Sequence, residues 1–166
     1  MFYPLLWPLL LIEMAETKCG FDSTNGVSGS VLLTTYGPTL FVNIGFDSNW
    51  NINTAITTPV PGITNVHALV DTGATECCID DLLAVQLNLP VIDRIPVSGS
   101  AGQHEANMYF AQIHIPSLNF TMYGSFAGLH LTAGGQPHKA LIGRTFLSAF
   151  TMIYDGKTGN VTIKSE

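Results

Sequence analysis

The sequence predicts an all-β, barrel-like domain with one or two short helices, and three observations predict it. Short apolar runs rich in Val, Ile, Thr, Phe and Tyr recur along the chain, separated by clusters of Gly, Pro and Asn. Tyr109 to Ile115 alternates, with Tyr109, Ala111, Ile113 and Ile115 on one face and Phe110, Gln112 and His114 on the other, the period of a half-buried strand. No heptads, repeats or low-complexity tracts compete with that reading.

Met1 to Ile12 are apolar, but no Lys or Arg precedes them, Pro4 and Pro8 interrupt them, and no small-residue cleavage site clearly follows. The run is too short to cross a bilayer, which takes about 20 apolar residues. Met14-Ala-Glu-Thr-Lys18 makes an ordinary start, so residues 1–13 are expected to be an untranslated upstream extension or a loose tail. Residues 1–27 are assigned to a loosely ordered N-terminal tail and residues 28–166 to a single domain.

Val31-Leu-Leu-Thr-Thr-Tyr36, Gly37-Pro38 and Leu40-Phe-Val-Asn-Ile44 read as two strands around a turn. Asp47 to Gly62, rich in Asn, Thr and Pro, reads as a loop, and Val66 to Val70 as a strand. Glu76 to Ala84 has a β-like start and a short helical end, closed by Leu89-Pro90, with Asp80-Asp81 at the helix start or a turn. Leu118 to Leu131 continues as β, Thr132 to Pro137 is a loop, and Thr151–Tyr154 with Asn160–Lys164 makes a terminal hairpin.

Hydrophobic residues make up 46% of the chain and charged ones 11%, with a mean hydropathy of +0.31. That balance excludes disorder and leaves apolar surface for burial between subunits. The net charge of −6, with scattered cations, provides no basic stripe for a nucleic-acid backbone. Cys19, Cys77 and Cys78 are an odd number, and adjacent cysteines rarely bridge, so a reducing, cytoplasmic setting is expected. Asn119-Phe-Thr121 and Asn160-Val-Thr162 fit the glycosylation pattern but read as chance strand sequence. The five histidines lack metal-ligand spacing, no Cys-x-x-Cys or Gly-x-Ser-x-Gly occurs, and neither metal nor cofactor is called for.

The most informative stretch is Leu69-Val-Asp-Thr-Gly-Ala-Thr75, an apolar run delivering Asp71 into a Thr-Gly turn. Far downstream, Ala140-Leu-Ile-Gly-Arg144 is a second apolar run ending in glycine. The pair resembles the retropepsin-like aspartic proteases, whose chains carry Asp-Thr/Ser-Gly-Ala and later two apolar residues, Gly and often Arg. Thr39-Leu-Phe-Val-Asn-Ile-Gly45 is similar to the strand preceding their catalytic loop, Val97 to His104 lies where they place the flap, and Arg144 to Phe150 where they place a short C-terminal helix. The resemblance runs from about Thr39 to Ile163 and implies a closed acid-protease barrel. Retroviral members usually have an acid after Asp-Thr-Gly-Ala that pairs with the late Arg. Here that position is Thr75, leaving Arg144 to pair with Glu76, with Asp80 or with neither.

Peptide hydrolysis by carboxylates needs two, one ionised to take a proton from water and one protonated to polarise the carbonyl. The chain has a single Asp-Thr-Gly, so the resemblance implies a homodimer with Asp71 of each copy at the two-fold axis. It makes Thr72 a bond across that axis and Gly73 a point of close backbone approach. Gly99, Ser100, Ala101 and Gly102 become a flexible flap tip closing over an extended peptide. Ala133-Gly134-Gly135 competes for the flap by composition but lies too near the late strand. Ala74, Thr75, Glu76, Cys78 and Ile142 border the substrate cleft, with Cys77 and Cys78 as small wall residues rather than nucleophiles. His104 is a flap group near substrate or an ordinary strand histidine.

Two other functions stay open on sequence: a non-catalytic peptide-binding or assembly module on the same barrel, and a monomeric barrel in which Asp71 only caps a turn. Ala74, where pepsin-like enzymes usually carry Ser or Thr, removes a hydroxyl that favours the carboxylate form. The expected peptidase optimum therefore lies above about pH 3.5, and an optimum below it in a rate-against-pH profile contradicts this role for Ala74.

Overall fold

The computed structural model describes residues 15–53, 58–99 and 102–165. In chain order come β1 (Glu16–Lys18), α1 (Gly29–Tyr36), β2 (Thr39–Gly45), β3 (Gly62–Val70), β4 (Cys78–Asp80), α2 (Asp81–Gln86) and β5 (Val91–Gly99). There follow β6 (Gly102–Ile115), a short helical turn (Pro116–Leu118), β7 (Phe120–Leu129), β8 (Ala140–Ile142), α3 (Arg144–Leu147), β9 (Thr151–Asp155) and β10 (Asn160–Lys164).

Six strands close into a barrel in the order β2-β3-β8-β4-β7-β6, because β2 pairs with β6 as well as with β3. Closure is made by Asn43, Ile44 and Gly45 of β2 opposite His114, Ile113 and Gln112 of β6. It removes the unpaired edges that an open sheet presents. The interior is aliphatic and wholly buried: Val42, Ile44, Ala68, Ile79, Ala111, Ile113, Ile115 and Ile142. The all-β barrel with short helices expected from sequence is therefore present. β5 lies outside the ring and pairs with β6 alone.

Three expectations are corrected. Val31 to Tyr36, read as a strand, belongs to α1. Ser28 caps it by accepting from the Val31 N–H at 3.3 Å, and Gly37 ends it at φ 69°. The Thr34 and Thr35 hydroxyls donate to the carbonyls of Ser30 and Val31, which accommodates a β-branched pair in a helix.

Residues 15–21, grouped with a loose tail, are tied in. β1 pairs antiparallel with β10, and the three-stranded sheet β1-β10-β9 abuts the barrel. Cys19 is buried, its N–H donates to Val161 and its carbonyl accepts from Thr39. The expectation for residues 1–13 lies outside the described residues.

The third correction concerns Tyr109 to Ile115 of β6, which are covered on both faces rather than half-buried. Gln112 is wholly buried, its Oε1 accepting from the Asp47 N–H at 2.7 Å and its Nε2 donating to the Asp47 carbonyl at 3.1 Å. That pair pins the segment after β2 against the outside of the barrel. Phe46 then packs on Phe110 and Trp50 stacks on Tyr123. The excursion read as a loop supplies a second apolar layer.

His114 and His138 are both buried, and burial holds each below the ordinary imidazole range, His67 adding to the effect at His138. Their neutral forms suit the fold, whereas the unfolded chain takes up protons below about pH 6.5. Stability is therefore expected to fall on acidification from about pH 6.5 to about pH 5.5, by at most about 1.4 kcal/mol per pH unit for each histidine. Urea midpoints across that range check this, and a flat profile contradicts it.

Candidate functional site

Asp71 follows β3 directly, and the reason lies in the order of strands. β8 lies between β3, with which it is parallel, and β4, with which it is antiparallel. β3 and β4 are consecutive in sequence, so residues 71–77 must arch over the end of β8. The arch begins where the Asp71 N–H donates to the Ile142 carbonyl at 3.0 Å. Gly143 sits beneath it: a Cβ there would lie 2.4 Å from the Glu76 carbonyl oxygen and 3.0 Å from that of Ala74. Only glycine fits under the arch.

The loop is held by its carbonyls. Thr72 and Gly73 carbonyls accept from Arg144 Nη1 at 2.8 and 3.0 Å. Ala74 and Thr75 carbonyls accept from the Arg144 and Thr145 N–H groups, each at 3.0 Å. Those amides begin α3 and would otherwise lack partners. Arg144 Nη2 also donates to the Thr75 hydroxyl at 2.8 Å. Arg144 thus pairs with neither Glu76 nor Asp80. A threonine hydroxyl and two carbonyls replace the expected acid.

Asp80 has a different duty. Wholly buried, it accepts from the N–H and hydroxyl of Thr132 at 3.1 and 2.7 Å, with Lys139 Nζ 3.7 Å away. This ties the Ala133-Gly134-Gly135 turn to the end of β4, so that turn does not project as a flap.

Asp71 is half-exposed, and Thr72, Gly73, Thr75 and Glu76 are exposed while Ala74 is half-buried. The Asp71 Oδ1 accepts from the Gly73 N–H at 2.8 Å. Its Oδ2 accepts no hydrogen bond among the described residues. The arch therefore presents a carboxylate oxygen and a Thr-Gly tip outward from a fixed backbone.

Cys77 and Cys78 are buried free thiols on opposite faces of the chain. Cys77 Sγ accepts from the Gly143 N–H at 3.3 Å and lies 3.7 Å from Met122 Sδ. Burial pushes the Cys78 thiol up to about 12, with Cys77, Glu76 and Asp71 adding to it, and burial raises Cys77 too. Neither supplies a thiolate nucleophile near neutral pH. Ile142, assigned to the cleft border, is wholly buried in the barrel. Leu141, on the other face of β8, is the half-exposed neighbour. The reason is the two-residue period of a strand, which sends adjacent side chains to opposite faces.

Of the flap residues, Gly99 pairs with Gly102 at the end of the β5–β6 hairpin, and Gly102 has φ 99°, a conformation glycine alone tolerates well. Ser100 and Ala101 lie outside the described residues. The sequence does not reveal that four residues at the base of this hairpin, Arg94, Asn107, Tyr109 and Asp81, are joined by hydrogen bonds. Gly128 inside β7 was the available signal, since glycine in a strand marks a close approach. No group of His, Cys, Asp and Glu among the described residues is arranged to hold a metal ion. No protein-family model, curated protein or solved structure matches the chain.

Adding a methyl group at Gly143 forces it against backbone on the underside of the arch. Gly143→Ala is expected to cost about 3 kcal/mol, the upper end for overpacking. A urea midpoint equal to that of the unaltered protein contradicts this reading of the arch.

Proposed function

We propose that the chain is an aspartic endopeptidase acting as a homodimer, with Asp71 from each copy forming the catalytic pair. The observation that carries the reading is the arch, in which four successive carbonyls, those of Thr72 to Thr75, are fixed by Arg144 and Thr145 while the Asp71 carboxylate faces outward. Positional rigidity of this kind is what a hydrolytic carboxylate needs. The exposed Thr72-Gly73 tip gives a second copy a surface on which to place its own carboxylate.

In the dimer two carboxyl groups about 3 Å apart hold one proton between them. The ionised member takes a proton from a water molecule, whose oxygen attacks the peptide carbonyl carbon. The protonated member gives its proton to the carbonyl oxygen. Collapse of the tetrahedral intermediate breaks the C–N bond, and a proton passes from the pair to the leaving amine. Thr75, Glu76 and half-exposed Ala74 border the path of an extended peptide, and the β5–β6 hairpin closes on it. Raised thiols at Cys77 and Cys78 favour carboxylate over cysteine chemistry.

The Asp71 to Gly73 hydrogen bond also suits the reading in which Asp71 only caps a turn. The free, buried thiols of Cys19, Cys77 and Cys78 agree with a reducing, cytoplasmic setting. No helix among the described residues is long and apolar enough to cross a membrane.

Asp71→Asn is nearly isosteric and keeps an acceptor for the Gly73 N–H. It is expected to abolish cleavage of a peptide library, by on the order of a thousandfold or more, while light scattering at micromolar concentration reports an unchanged dimer. Equal cleavage by the Asn variant removes the enzymatic assignment. A dimer that cleaves nothing favours the binding module, and a monomer favours the turn cap.

A further inference from the structure

Beyond the ring, the β5–β6 hairpin is an arm with little holding it. β6 leaves its pairing with β7 at Met108, opposite Ala127. From there to Gly102 it pairs only with β5. The register between these two strands slips between Val91 and Asp93, leaving Ile92 as an extra residue at the arm's base. A bulge at such a point bends the strand and re-aims what lies beyond it.

A chain of hydrogen bonds crosses the same base. Arg94 Nε on β5 donates to Asn107 Oδ1 on β6 at 3.0 Å. Asn107 Nδ2 donates to the Tyr109 hydroxyl at 3.1 Å, and that hydroxyl donates to Asp81 Oδ1 at the start of α2 at 2.7 Å. The Tyr109 ring is buried. β7 makes room for it with Gly128, where a Cβ would lie 2.5 Å from the ring and 2.7 Å from Asp81 Oδ1.

Beside the chain is a cavity of about 110 Å³, bordered by Asp81, Arg94 and Asn107 together with Glu105, Gly128 and His130. Space next to a polar chain gives it somewhere to rearrange, which a close-packed contact lacks. Among the described residues, Ala106 of the arm is buried, and His104 stacks on His130 with ring centroids 6.0 Å apart.

We infer that Arg94, Asn107, Tyr109 and Asp81 form the hinge of the β5–β6 arm, with Tyr109 and Asn107 as positioning residues that hold the arm in one stance against the barrel. Bulge, hydrogen-bond chain and cavity coincide at one level of the hairpin. Tyr109 is the pivot because its ring is fixed in the barrel wall while its hydroxyl serves both sides of the joint. In the enzymatic reading, on which this part of the inference rests, the stance governs how readily the arm closes on peptide. Loosening it weakens binding more than chemistry.

The test is amide hydrogen exchange read by mass spectrometry on the full chain, comparing unaltered protein with Tyr109→Phe. Removing the hydroxyl breaks both bonds and leaves the ring packed. Exchange across 93–98 and 103–107 is expected to rise roughly fivefold or more, with β3 and β8 unchanged. Asn107→Ala, at a half-buried position, is the second variant should Tyr109→Phe fail to fold, and the same pattern is expected of it. Unchanged exchange in the arm, or an equal rise in β3 and β8, overturns the inference by reducing the chain to an ordinary stabilising contact. Peptide kinetics supply a second readout, with KM raised about threefold or more and kcat within about twofold. A protein that cleaves no peptide at all refutes the enzymatic reading, and the exchange result still decides the hinge.

Discussion

The grip of residues 143–145 on the underside of the Asp71 loop is the constraint on which the rest of the structure depends. It works because β8 occupies the slot between two strands that are neighbours in sequence. The connection between them must therefore cross the end of β8, and a glycine at that crossing is a steric necessity. Arg144 and the first amides of α3 then find acceptors at once, since the arch turns its carbonyls downward. One topological fact thus fixes the glycine, satisfies the helix start and leaves the carboxylate facing outward.

The departure at Thr75 fits the same economy. A carboxylate there would neutralise Arg144, but the guanidinium is already held by two carbonyls and a hydroxyl. Hydrogen bonds from a charged donor to carbonyl oxygens are stronger than neutral ones. They supply the geometry without an acid at position 75. The buried thiols below the arch add to this by staying neutral. The arch therefore carries two carboxylates, half-exposed Asp71 and exposed Glu76, above a clasped backbone.

Much of this was legible in the residues, and the gaps have physical causes. Leu69 to Gly73 and Ala140 to Gly143 were readable because an apolar run ending in a turn leaves a strong local signal. Arg144's partners were not, because backbone carbonyls carry no sequence signature and a search among acids cannot find them. α1 was misread because Thr34 and Thr35 look like strand residues until their hydroxyls bond back along the helix. β6 looked half-buried because its outer cover comes from Phe46, Asp47 and Trp50, in a segment whose composition reads as loop. For Ile142, resemblance gave the position but the pleat of a three-residue strand decided the side.

The insertion of β8 also bears on how the chain is assembled. β3 and β4 are made long before Ala140 to Ile142 leave the ribosome, and until then the gap between them has no occupant. Contacts so far apart in sequence form late and slow the search for the native state. The arch can take shape only once the gap is filled, so the growing chain carries an unfinished centre from the synthesis of β4 until that of β8. Whatever chemistry the arch carries can arise only after the barrel is whole.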